Sequence, residues 1–114
     1  MRVLLMVLAA TAALGSACAP TLTPEQQQEA ECRASGGKMQ RVGRLQTLQC
    51  VIQYRDAGKA CRSGSDCLGD CVAVGSTAPL EGRATAGVCQ ADSNRFGCRT
   101  RVEDGRATPT ICVD

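Results

Sequence analysis

Sulfur is the first place to look for chemistry in this chain. The 114 residues include nine cysteines and no histidine. A cysteine can ligate a metal, act as a nucleophile, accept a lipid or pair into a disulfide. Structural zinc favours cysteines two residues apart, often with histidine in the set. Here the tightest group is Cys61, Cys67 and Cys71, with gaps of five and three residues. General base catalysis lacks its usual imidazole, and 17 Leu, Ile, Val, Met, Phe or Tyr side chains beyond residue 18 can hardly wall a cleft. Cys32, Cys50, Cys61, Cys67, Cys71, Cys89, Cys98 and Cys112 form an even set, which in a small exported chain reads as a disulfide framework. We therefore expect no enzymatic activity, no metal and no cofactor.

The charged residues offer fewer options. Asp66 and Asp70 lie four apart beside glycines, but the ordered oxygen spacing of a calcium loop is missing, so turn caps and solvated acids are the expectation. Eleven of the 13 basic residues are arginine. Arg99 and Arg101 fall on one face of an expected strand, and Arg95, Arg106, Arg41 and Arg44 are candidates to lie nearby. Guanidinium forks suit phosphate and carboxylate, so this set is the candidate contact for an acidic envelope protein or an anionic envelope polymer. The plainer reading is a solvated basic face, diluted by Glu103 and Asp104. From Cys18 on, 12 basic side chains face 11 acidic ones, which gives no electrostatic case for nucleic acid. The stretch from Gly75 to Gly87 presents Leu80-Glu81-Gly82-Arg83, either as an arginine-bearing loop for a protease site or as a flexible connector.

The ninth cysteine belongs to the leader. Met1-Arg2 is a short positive start, Val3 to Leu14 is apolar, and Gly15-Ser16-Ala17 supplies small residues before Cys18. The apolar run is too short to span a bilayer, which needs roughly 20 residues. Leu14-Gly15-Ser16-Ala17-Cys18 resembles the lipobox of bacterial lipoproteins, with Gly15 where leucine is usual. That resemblance implies cleavage after residue 17, acylation of Cys18 and, with Ala19 rather than aspartate following, attachment to the outer membrane at its periplasmic face or the cell surface. Ordinary cleavage, giving a secreted or soluble periplasmic protein, is the alternative.

These residues must be positioned by small elements. The expected organisation is a signal peptide over 1–17, a lipidated tether over 18–23 and one cysteine-rich domain over 24–114. Its fold class is small and disulfide-rich, mainly β hairpins and loops with one short N-terminal helix. Thr23-Pro24-Glu25-Gln26 reads as an N-cap, a proline at the first helical position and a capping-box glutamine, and Gly36-Gly37 ends the helix. The helix has almost no apolar stripe, so Cys32 should pin it. Lys38 to Val42 and Leu45 to Tyr54 form an expected hairpin through Gly43-Arg44, with Leu48, Cys50 and Ile52 on one face. Asp56 to Lys59 is a turn, Cys61 to Cys71 a polar loop, and Val72 to Val74 and Val88 to Gln90 short strands. Asp104-Gly105 is the strongest hairpin signal, joining Arg99–Glu103 to Arg106–Val113, and Pro109 assigns the second of these to a sheet edge. Gly43-Arg44 and Gly105-Arg106 each precede a Cys-Val pair by five residues, a faint internal echo.

Eight cysteines allow about a hundred pairings. The spacing of Cys61, Cys67 and Cys71, with Cys89 downstream, resembles the small cysteine-rich cores of secreted eukaryotic modules. That resemblance implies the crossed pairs Cys61 with Cys71 and Cys67 with Cys89. The remaining cysteines then pair as Cys32 with Cys50 and Cys98 with Cys112. A strict two-residue turn at Asp104-Gly105 sets Cys98 opposite Ile111, so the last bridge requires a bulge. Asp56 to Lys59 through the cysteine cluster, Phe96-Gly97-Cys98 and the ending from Val102 to Asp114 are also similar to a group of small cysteine-rich proteins exported by proteobacteria, a resemblance that brings no activity with it. The reading that follows is a noncatalytic, lipid-anchored interaction or structural module of the cell envelope; the alternative is an inhibitor of an envelope protease or lysozyme-like hydrolase.

Overall fold

A computed structural model describes residues 18–114; the leader assigned to residues 1–17 lies outside the described residues. The first element is helix α1 (Pro24–Ala34). Thr23 Oγ1 accepts the Gln26 N–H, and the Gln26 side chain accepts the Thr23 N–H, so the capping box closes as the sequence requires. Gly36 ends the helix in the left-handed region, φ +77°. The helix buries only Cys32, which is bonded to Cys50. Packing alone gives it little, and sulfur holds it against the chain that follows.

That chain is the antiparallel hairpin of β1 (Gly37–Val42) and β2 (Thr47–Ile52). Two details differ from expectation. The connection is the four-residue loop Gly43–Gln46 rather than a two-residue turn, with Gly43 and Gln46 both at positive φ. The face of Leu48, Cys50 and Ile52 exists, but it is the less covered one, and Leu48 is half exposed. Val42 and Val51 bury the opposite face, Val51 to 2% exposure. The helix has too few apolar side chains to cover its side, so burial falls where the rest of the molecule packs. There the Phe96 ring lies against Gly43, close enough that a Cβ would stand 2.7 Å from the ring.

The remaining strands form one antiparallel sheet in the order β3-β5-β4-β6-β7, where β3 is Ala60–Cys61, β4 Cys71–Ala73, β5 Gly87–Cys89, β6 Gly97–Glu103 and β7 Arg106–Val113. The hairpin and the sheet are stitched by backbone bonds: Tyr54 N–H to Ala91 C=O, Ser93 N–H to Ile52 C=O and Gly58 N–H to Cys89 C=O. Cys71, Cys89, Val102 and Ala107 bury fully, with Thr100 beside them. Among the described residues, sulfur thus contributes three of the seven buried apolar ones when Cys32 is counted. A core this thin depends on cross-links.

The four disulfides are Cys32–Cys50, Cys61–Cys71, Cys67–Cys89 and Cys98–Cys112, the pairing expected above. The last depends on a register shift in the β6–β7 hairpin. Glu103 faces Arg106 and Val102 faces Ala107 across a turn with Asp104 and Gly105 both at positive φ, but beyond it Thr100 faces Thr110 and Cys98 faces Cys112. Thr108 and Pro109 together oppose Arg101, a two-against-one bulge. The bulge brings the cysteines into register, and Pro109, with no N–H to donate, sits in it on the edge strand.

Candidate functional site

The Asp104-Gly105 turn locks several loops together. Asp104 N–H donates to Ser63 Oγ and Gly105 N–H to Arg62 C=O, while Asp66 Oδ2 accepts the N–H groups of Arg62 and Ser63. Those two backbone bonds hold the Asp66 carboxyl below its usual range, and Lys59 and Arg62 add to the effect. Asp66 is therefore a loop cap, wrapped in donors from its own chain. The groups Cys61, Cys67, Cys71 and Asp56, Cys67, Cys89 bring potential ligand atoms close together, but every sulfur in them is already in a disulfide and offers no thiolate.

Strand alternation places Arg99 and Arg101 on one face of β6, with Ile111 directly opposite Arg99 on β7. Arg95, from the loop leading into β6, joins them. Together with Pro109, Ile111, Val113 and Asp70 they line an open groove of about 320 Å³. The cations are held differently. One Arg99 nitrogen donates to the carbonyls of Asn94 at 2.7 Å and Phe96 at 3.4 Å, which fixes the guanidinium in place. Arg95 and Arg101 are exposed and make no hydrogen bond or ion pair with a described side chain. Asp70 is on the wall of the groove but within ion-pair distance of none of the three. The site is thus a row of guanidinium groups, one anchored and two free, above a strip of half-exposed apolar side chains: Ile111 is 50% and Val113 37% exposed.

The other arginines proposed for this face lie elsewhere. Arg106 donates to Gly82 C=O at the outer edge of β7, Arg41 donates to Gln46 C=O within the first hairpin, and Arg44 pairs with Asp114 at 3.5 Å. The bulge that lets Cys98 meet Cys112 also sets Ile111 opposite Arg99, so the apolar strip meets the arginines through the bulged register.

The stretch from Gly75 to Gly87 divides in two. Its second half is paired rather than a free connector: Ala107 N–H donates to Arg83 C=O, Gly82 N–H to Ala107 C=O and Thr85 N–H to Gly105 C=O. Leu80 to Arg83 closes a turn, with Arg83 N–H to Leu80 C=O and Gly82 at φ +77°. The first half borders a second groove of about 480 Å³, between β4, the even-numbered face of β6 and the loop from Gln90 to Phe96.

The chain matches no protein-family model, no curated protein and no solved structure.

Proposed function

We propose that this chain is a noncatalytic, lipid-anchored interaction module of the bacterial cell envelope whose recognition surface is the groove of Arg95, Arg99 and Arg101. The observation that carries the reading is the pair of unpartnered guanidinium groups beside an anchored third, all over apolar floor. Free arginines on a preorganised frame favour a phosphate or carboxylate, and the floor adds affinity for anything apolar attached to it. The anchor rests on the lipobox-like Leu14 to Cys18 and on thiol bookkeeping: Cys18 stands outside the four disulfides, so acylating it leaves no orphan thiol. Only Ala19 to Thr23 separate it from α1, which ties the domain close to the bilayer. A single acyl chain holds a protein only marginally, and two or three hold it firmly.

Membrane fractionation tests the anchor. Cys18→Ser should move the protein from the membrane pellet to the soluble fraction, and an unchanged distribution would count against lipidation. The groove is tested by salt and charge: binding to an anionic envelope extract should weaken with ionic strength and fall further in Arg95→Glu/Arg101→Glu. Inhibition of a hydrolase is the less favoured reading, because Leu80 to Arg83 closes on itself and the Arg83 carbonyl is already engaged by Ala107, whereas protease clefts take up extended backbone. Titration against proteases and lysozyme at micromolar concentration checks it.

A further inference from the structure

The groove has a second feature that its arginines do not explain. Its floor is the edge strand of the sheet, and part of that edge is open. Ala107 directs both its N–H and its C=O outward, where Arg83 and Gly82 take them up. The phase of an antiparallel ladder alternates, and the bulge shifts it by one residue. Beyond Pro109, Thr110 and Cys112 therefore turn their backbone groups outward. The 3.9 Å separation of the Cys98 and Cys112 Cα atoms agrees, since the pairs of an antiparallel ladder without mutual hydrogen bonds are the close ones. Among the described residues, no backbone group pairs with this outer edge from Thr108 to Val113. The chain already lines the first part of the edge, where Gly82 and Arg83 bond to Ala107 and Ala84 forms an isolated bridge with Arg106, and it leaves at the Leu80–Arg83 turn where the open part begins.

We propose that Thr110 to Val113 is the docking edge for an extended peptide segment bearing carboxylates, which joins the sheet beside β7 and presents its acidic side chains to Arg95, Arg99 and Arg101. This rests on the groove being the recognition surface and names its partner class. Backbone bonds from Thr110 and Cys112 give affinity without sequence, and the face above gives selection. Alternate side chains of the incoming strand fall over Ile111 and Val113. From there Arg99 and Arg101 are two strand spacings away, about 10 Å, which a glutamate and an arginine close together. A second copy of this chain is the less suitable occupant: two β7 edges paired about a two-fold axis through the sheet set both arginine rows on the same face, where like charges repel. Pro109 and the bulge limit the contact to about four residues, so the affinity is that of a short motif.

The test uses the purified, processed protein, a capped hexapeptide of alternating valine and glutamate, the same peptide N-methylated at alternate backbone amides, and lipopolysaccharide micelles. Amide exchange and chemical shifts are followed by nuclear magnetic resonance. The proposal expects the hexapeptide to slow exchange at Thr110 and Cys112, the N-methylated peptide that cannot form the ladder to lose binding, and Arg101→Glu to weaken it by about tenfold, as loss of a charge-assisted contact does. Equal binding of both peptides, with shifts confined to the arginines, overturns strand addition and leaves the anion groove standing. Binding of micelles but of neither peptide identifies a polymeric anion and overturns the proposal alone. Hexapeptide binding indifferent to Arg95→Glu and Arg101→Glu overturns both readings, as does absence of binding by every probe.

Discussion

At Gly37 a Cβ would stand 2.6 Å from the Sγ of Cys50 and 3.0 Å from that of Cys32, and at Gly87 it would collide with the Sγ of Cys71. Neither glycine has an unusual φ; each is small because a disulfide passes over it. Gly37→Ala and Gly87→Ala should therefore each lose about 1–3 kcal/mol, the cost of overpacking a site that cannot yield, measurable by denaturant melts. Asp66 carries a different prediction. Its folded pKa is depressed by the Arg62 and Ser63 N–H groups, so its contribution is complete above the unfolded carboxylate pKa and is lost as pH falls through the folded one. The melting temperature of the native protein should exceed that of Asp66→Asn by a constant margin at neutral pH, and the margin should shrink below about pH 4. A margin indifferent to acid would show that the cap does not work through charge.

Among the elements, α1 is held chiefly by one cross-link. Its cap is complete, yet it buries one residue, and that residue is bonded to β2. Thr23→Ala removes one end of the capping box and should cost about 1 kcal/mol. Replacing Cys32 and Cys50 together by alanine should do more to the helix itself: its far-ultraviolet dichroism should be lost while slow amide exchange persists in β5 and β6. Retained helicity would mean that contacts with β1 suffice. The β6–β7 hairpin has the opposite character, since its turn is tied to Arg62, Ser63 and Thr85 and its bulge is what lets Cys98 meet Cys112.

At the scale of the molecule, the buried apolar residues among those described are few, and three of the seven are cysteines. A disulfide contributes about 2–4 kcal/mol through its effect on the unfolded chain, so four are comparable to the about 5–15 kcal/mol that stabilises an ordinary domain. Full reduction should unfold the sheet, seen as collapse of amide chemical-shift dispersion. Native dispersion surviving in reductant would show that the backbone ladders stand without sulfur.

The features legible in the sequence were those decided within a few residues. Thr23, Pro24 and Gln26 set the start of α1 because cap and acceptor lie three positions apart, and Asp104-Gly105 set its turn because both residues tolerate positive φ. Cysteine composition pointed to a sulfur-braced β fold, and the two-residue turn already implied the bulge that Cys98 and Cys112 needed. The tertiary structure alone decided what depends on distant partners. Val51 rather than Leu48 or Cys50 turned inward, and alternation along β2 could not decide which of its two faces is covered. Strand alternation had already set Arg99 and Arg101 on one face; register and loop path brought Arg95 to them and sent Arg41, Arg44 and Arg106 to other carbonyls and carboxylates. A side chain's type sets what it can bind, but its neighbours are chosen by strand pairing across tens of residues, and no local rule carries that information.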